Sequence, residues 1–374
     1  MRFLVSTILS VLLVAGQSLR AEQPVQVDQE LRHELARIVT QYELPGMVAA
    51  LVEQGRVTRV AATGVRKLGD SEELTIADRM HLGSCTKAMT ATILAQLVDA
   101  QKMTWNGTLA ELLPDLSPRM HESFRGVTVR QLLTHRSGLP ANSPLMHAAD
   151  KSLSTRDQRE WLFEQVLAMD PEYEPGTKAR YSNLGYMLAG FVAETVSGDT
   201  WESLMRKRIF EPLQMDSADF GVPGTTGKLN QPWGHREVSE GEIRALQRDN
   251  PPVLGPAGTV HASLMDWAKF VAVHLKHQPR PPLLMESTID EMHRPYPNGR
   301  YALGWVALPR WWSPGHAITH SGSNTMWMAV VWASPQRDFA FLAATNSAQH
   351  GAAKACDDAV RFLLEGVIKK VEDE

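Results

Sequence analysis

Ser84 and Lys87, three residues apart in the stretch Gly83-Ser-Cys-Thr-Lys87, are the side chains in this sequence best suited to covalent chemistry. A serine hydroxyl is a weak nucleophile until a neighbouring base takes its proton, and a lysine can be that base only when neutral. The residues that follow supply this condition. No charge occurs between Lys87 and Asp99; Met89, Ile93 and Leu97 recur at i, i+4 and i+8, with Leu94 and Val98 beside them. That period is helical, and a helix apolar on nearly all faces is buried in a core. Ser84, after Gly83, suits a cap or first-turn position at its head. Lys87 then shares a helix face with Ser84, and a lysine in such surroundings is driven toward its uncharged form. Ser-x-x-Lys alone is expected about once in a chain of this length, so the pair gains meaning only from its setting.

Two later clusters provide that setting. Glu174-Pro-Gly-Thr-Lys-Ala-Arg-Tyr-Ser-Asn183 closes a loop at the start of an apolar helical segment, and Tyr181 and Asn183 point from that turn into one space. His320-Ser-Gly-Ser323 stands at the end of a strand-like run, where Gly322 allows a ligand close to the backbone.

The elements that must hold these clusters follow from periodicity. Asp28 caps a helix carrying Leu31, Leu35, Ile38 and Val39 on one face. Strand-like runs at 47–53 and 56–63 flank Gln54-Gly55 as a hairpin. Helical segments follow at 129–134, 156–168, 184–195, 201–210 and 264–275, with Pro/Gly-rich loops at 250–258 and 278–282. Strands return at 301–308, 316–320, 325–333 and 338–345, and an amphipathic helix spans 352–368. This order predicts an α+β fold in which one antiparallel sheet is built from both chain ends. The terminal helices cover one face, a central helical block packs alongside, and the Ser84 helix lies at their junction.

Residues 1 to about 21 have the positive start, apolar run and small residues of a secretory leader. They predict a secreted or periplasmic protein with no stable membrane span once the leader is removed. The remaining residues, 22–374, form one domain with a sheet part at about 22–80 and 295–374 and a helical part at about 81–294. The net charge of −4, without a long basic run, gives nucleic-acid binding no electrostatic support. The two cysteines, Cys85 and Cys356, are expected as free thiols. No cofactor is implied. With no His-Glu-x-x-His run, metal hydrolysis is disfavoured, and without a Gly-x-Ser-x-Gly elbow so is the α/β-hydrolase arrangement. His274 and His277 read as a solvated helix face, His135 as structural, and the five tryptophans between Trp305 and Trp332 as core or sheet-face packing.

The order Ser-x-x-Lys, Tyr-Ser-Asn, His-Ser-Gly resembles the signature of the class C β-lactamases and the related D-alanyl-D-alanine carboxypeptidases and esterases. Leu132-Leu-Thr-His-Arg-Ser-Gly-Leu-Pro140, Pro175-Gly176, Gly255-Pro-Ala-Gly-Thr259, Asp266-Trp-Ala-Lys-Phe270, Tyr301-Ala-Leu-Gly-Trp305 and Thr345-Asn346 carry the likeness further. The resemblance implies a β-lactamase/transpeptidase-like fold and a serine hydrolase acting through an acyl-enzyme on a D-Ala-D-Ala peptide, a β-lactam or an ester. A slow-turnover penicillin-binding sensor is the alternative. It implies Ser84 as nucleophile, Lys87 and Tyr181 as base and proton relay, and Asn183 as the group holding Lys87 and the substrate amide. The Ser84 and Ser323 backbone N–H groups would form the oxyanion hole. The implied partner is a small molecule or peptide with a carboxylate, met by His320, Ser321 and Gly322. Two positions differ from the lactamase pattern. His320 replaces a lysine and, with an ordinary imidazole pKa of about 6.5, would be charged only below neutrality. Met326 replaces a glycine and is expected to narrow the mouth of the site.

Overall fold

The hairpin near the chain start and the four strands near its end lie side by side in one sheet of the computed structural model, which describes residues 26–373 apart from Glu240. The proposed leader lies outside the described residues. The strands, in chain order, are β1 (Gly46–Glu53), β2 (Arg56–Gly64), β3 (Met80–His81), β4 (Asp219–Phe220), β5 (Gly234–Ser239) and β6 (Glu242–Leu246). They continue as β7 (Val260–Ala262), β8 (Val306–Arg310), β9 (Ser313–Gly322), β10 (Met328–Ser334) and β11 (Phe339–Thr345). The large sheet has the order β2-β1-β11-β10-β9-β8, and every neighbouring pair is antiparallel. Its seam is the pairing of β1 with β11, from Met47 opposite Thr345 to Glu53 opposite Phe339.

Both faces of the sheet are covered, and the alternation along β11 records it. Phe339, Phe341 and Ala343 face the terminal helices, whereas Ala340, Leu342 and Ala344 face the rest of the protein. Gln29–Gln41 forms the first helix; the Asp28 carboxylate accepts from the Leu31 N–H at 2.9 Å, a side-chain N-cap. Leu31, Leu35 and Ile38 are fully buried on its inner face against Ala355, Ala359 and Leu363 of the Ala352–Asp373 helix. Each such side chain contributes about 1.5–3 kcal/mol by leaving water.

On the other face the Thr86–Asp99 helix runs through the core, with every residue from Thr86 to Ala95 and also Leu97 buried. The expected all-round burial is present, Lys87 included. A single 3-10 turn, Gly83–Cys85, precedes it. That turn is anchored from outside by the small sheet β3-β7-β4 and by the Leu82 N–H donating to the Val260 carbonyl at 2.9 Å. The Asn183–Ser197 helix packs across it and begins with a Ser182 side-chain cap on Gly185.

Several elements differ from expectation. The predicted strand at 301–308 begins only at Val306. Tyr301 makes a single bridge, and the chain turns so that Leu303 donates to the Met292 carbonyl at 3.1 Å. The predicted strand at 325–333 begins at Met328. The segment at 201–210 is helical, but its second half, Arg206–Phe210, is a π-helix. The β5–β6 hairpin was not foreseen, because its mostly polar, exposed residues lack an apolar alternation.

Candidate active site

The backbone at the head of the central helix is held in place by a close approach of two chain segments. Gly83 has φ +49, a left-handed conformation that favours glycine. A Cβ on Gly322 would lie 2.6 Å from the Ser84 nitrogen and would collide with the Leu82 carbonyl. A Cβ on Gly83 would in turn collide with the Ser323 nitrogen. The end of β9 and the 3-10 turn are thus in backbone contact, which brings the Ser84 and Ser323 N–H groups together. Among the described residues, neither N–H donates to a backbone carbonyl outside the regular elements. This is the geometry needed to bind a developing oxyanion.

Ser84 Oγ sits between two groups. Lys87 Nζ is 3.0 Å away, and the Tyr181 hydroxyl donates to Oγ at 2.6 Å. Lys87 Nζ also lies 2.8 Å from Asn183 Oδ1 and 2.7 Å from the Ala257 carbonyl. The lysine is fully buried, and burial holds its pKa well below the ordinary lysine range. A neutral amine has two protons and one lone pair. The protons satisfy Asn183 and Ala257, which leaves the lone pair for the Ser84 hydroxyl proton. Tyr181 is 45% exposed as a residue, with its hydroxyl turned to Ser84 Oγ. Burial of that end pushes its pKa up to about 12, so the phenol keeps its proton at neutral pH. Cys85, next to the serine, is turned away: its Sγ faces the His320 carbonyl at 3.6 Å, and burial pushes the thiol up. Both Cys85 and Cys356 are free and buried, as expected.

His135 fixes the tyrosine loop from below. Its Nδ1 accepts from the Ser182 N–H at 3.1 Å, and its carbonyl accepts from the Arg180 N–H at 2.8 Å. The ring packs against Tyr181 and Tyr301 at centroid distances of 4.5 and 4.3 Å.

Four expectations are corrected here. His320 does not stand free to read a carboxylate. It is 5% exposed, its Nδ1–H donates to the Ser321 carbonyl at 2.7 Å, and its Nε2 accepts from the Tyr301 hydroxyl at 2.7 Å. Burial, followed by the nearby Lys87, pushes its pKa down to about 3, so it is neutral throughout the neutral range. Ser321 is exposed and pairs with Val330, whose side chain packs toward the terminal helices. The pleat therefore sends the Ser321 hydroxyl to the sheet face opposite His320. Met326 does not narrow the mouth: it is 5% exposed and packs under Gly234, beside β5. Finally, His274 is not on a solvated face. It is fully buried, with Nδ1 3.0 Å from His293 Nε2. His277 is the exposed member, 2.8 Å from Asp338.

The cleft above Ser84 encloses about 380 Å³. Sequence reasoning missed much of its wall, including Asn142, His147, Asp249, Asn250 and Asn324. Asn142 Oδ1 accepts from Asn183 Nδ2 at 2.9 Å. Asp249 accepts from His81 Nε2 at 3.0 Å and from Asn324 Nδ2 at 3.0 Å. His81 Nδ1 in turn accepts from the Gly83 N–H at 3.1 Å, so this chain of bonds braces the Gly83–Ser84 backbone from behind. Asp249 is 168 residues from His81, and no local pattern could have joined them.

Comparison with known proteins shows the family and the fold. A family model described as Beta-lactamase matches residues 27–365. The unguisins hydrolase ungD' of Aspergillus campestris is 28% identical over 295 residues, which are 75% of this chain and 54% of that protein. Penicillin-binding protein 4 of Amycolatopsis lactamdurans is 27% identical over 241 residues, 63% of this chain and 61% of that protein. The chain thus spans little more than half the length of these relatives. Among solved structures, a class C beta lactamase from Rhodobacter sphaeroides superposes with a TM-score of 0.72 at 20% identity, over 90% of this chain and 100% of that one.

Proposed function

The chain belongs to the beta-lactamase family of serine hydrolases, and from that premise we propose that Ser84 attacks an amide or ester carbonyl to form an acyl-enzyme. The observation that carries this reading is the placement of Ser84 Oγ, 3.0 Å from a buried lysine amine and 2.6 Å from a protonated phenol. As Oγ bonds to the carbonyl carbon, its proton passes to Lys87. The carbonyl oxygen becomes negative between the Ser84 and Ser323 N–H groups, which bind it most tightly at that moment. Collapse breaks the bond to the leaving group, and Tyr181 stands where that group must gain a proton. Water then reverses the sequence and releases the acid. Asn183 holds the lysine in place and shares its amide with Asn142. The apolar amino-terminal run supports a secreted or periplasmic setting for this reaction.

Treatment with a fluorophosphonate, followed by intact-mass and peptide mass spectrometry, tests the assignment. One adduct is expected on the Ser84 peptide, and none on a folded Ser84→Ala variant. Modification of Cys85 instead would place the nucleophile wrongly. With a carboxylic ester, return of the unmodified mass within minutes supports turnover; a lasting adduct supports the slow receptor.

A further inference from the structure

The charge inventory of the cleft speaks to the kind of substrate it accepts. Among the residues that line it there is no arginine, and Lys87, at its floor, is fully buried with its amine engaged by Ser84, Asn183 and the Ala257 carbonyl. His320, the position expected to supply positive charge, has both ring nitrogens occupied by Tyr301 and Ser321. The one carboxylate in the wall, Asp249, is engaged by His81, Asn324 and the Asn250 N–H. A substrate carboxylate in this cleft would lose water and find no arginine or free lysine in exchange, and it would lie near a resident acid.

The rest of the wall is amide-rich, with His147 at its exposed rim. The Asn142 Nδ2 and the whole side-chain amide of Asn250 make no hydrogen bond among the described residues. They offer donors and an acceptor near Ser84, while Met146 and Leu254 supply apolar contact. Peptide-like chains carry that mixture, amides alternating with apolar groups, and need no counter-charge.

We infer that the cleft takes an uncharged, amide-bearing acyl donor and cleaves an ester or amide bond that is not followed by a free carboxylate. A carboxylate on the leaving group slows acylation. This rests on the Ser84 chemistry proposed above, and it departs from the expectation of a carboxylate-bearing substrate. In the step itself, the bond from Ser84 Oγ to the acyl carbon forms, and the bond to the leaving oxygen or nitrogen breaks. The serine proton ends on the leaving group by way of Lys87 and Tyr181.

Two aryl esters of phenylacetylglycine test it, one with a meta-carboxyphenol leaving group and one with the matching meta-carbamoylphenol. Phenol release and Ser84 adduct formation are followed at pH 7, and each rate is divided by that ester's own hydroxide-catalysed rate. The carbamoyl ester is expected to have a kcat/KM about tenfold or more above the carboxylate ester, as for an unpaired charge brought into a partly desolvated site. His147→Lys, which adds a cation at the exposed rim, is expected to narrow that ratio with the carbamoyl ester as internal reference. Equal rates, or a faster carboxylate ester, overturn the inference; so does an unchanged ratio in the lysine variant. Labelling by fluorophosphonate without acylation by either ester overturns it while leaving the serine chemistry intact. No modification of Ser84 by any reagent removes the proposed function and the inference together.

Discussion

Lys87 can act on Ser84 only while it lacks a proton, and the same oxygens would surround it in either state. Replacing it separates position from basicity. Lys87→Arg puts a permanent cation in the same place, one that cannot deprotonate near neutral pH. We expect acylation of Ser84 to fall by about 10²-fold or more in this variant, measured by stopped-flow release of an activated phenol. An arginine variant that acylates at close to the parent rate would remove Lys87 from the role of base. His320 gives the second expectation at this scale. The groups that face it are Lys87 and Tyr301, with His135 and Tyr181 in the adjoining ring cluster. Its pKa is pushed down to about 3 by burial, so its charge does not change between pH 5.5 and 8. In a His147→Gln variant, which removes the other histidine of the cleft, the ratio of kcat/KM for the carboxylate and carbamoyl esters should therefore be flat over that range. A ratio that falls with rising pH would mean that His320 opens and titrates in solution.

The backbone contact between the 3-10 turn and the end of β9 decides where the two oxyanion donors stand. A methyl group on Gly322 pushes against the Ser84 nitrogen and the Leu82 carbonyl together, and neither can retreat without moving the donors. Gly322→Ala is expected to lower acylation by about 10²–10³-fold, the loss seen when one oxyanion donor is misplaced. Leu35→Ala, on the far side of the sheet, should cost about 2–5 kcal/mol in unfolding free energy. It should leave acylation of the folded fraction unchanged. Together the two variants separate the site from the scaffold; a Gly322→Ala enzyme of normal rate would sink the backbone argument. Elements at this scale were largely legible in the sequence wherever burial is one-sided or complete. The capped first helix, the β1–β2 hairpin and the central helix all announce themselves through apolar period. The Ser84, Lys87, Tyr181 and Asn183 cluster was legible because its members sit at the ends of such elements. Legibility failed where tertiary contacts overrule local pattern. Tyr301 lies in a strand-like run, yet its hydroxyl is drawn to His320. His274 looks amphipathic and solvated, yet Thr92 and Trp305 close over it. The Asp249 brace unites residues with no sequence proximity at all.

For the molecule as a whole, buried neutral histidines set the acid limit. Burial pushes His235 and His261 down to about 4 and His320 to about 3. The unfolded chain binds protons on these residues near pH 6.5, while the folded chain does not. Stability is therefore complete above that value and is lost as pH falls toward 4. By pH 5.5 the loss is on the order of 1 kcal/mol per histidine, several in sum. Urea midpoints at pH 7.5, 6.5 and 5.5 should drop mainly over the last interval, and a constant midpoint would contradict the buried, uncharged state. The sheet seam has a consequence of another kind, in time rather than energy. The Thr345 hydroxyl donates to the Gly46 carbonyl at 2.7 Å across 299 residues. At roughly 5–20 residues per second, a ribosome needs on the order of fifteen seconds to a minute to deliver the second partner after the first. The helical block emerges within that interval, but β1 has no neighbour on its β11 side until nearly the whole chain has been made. Its open edge is thus the longest-lived vulnerability of the nascent chain, and the place where a chaperone or a stray strand has most time to bind.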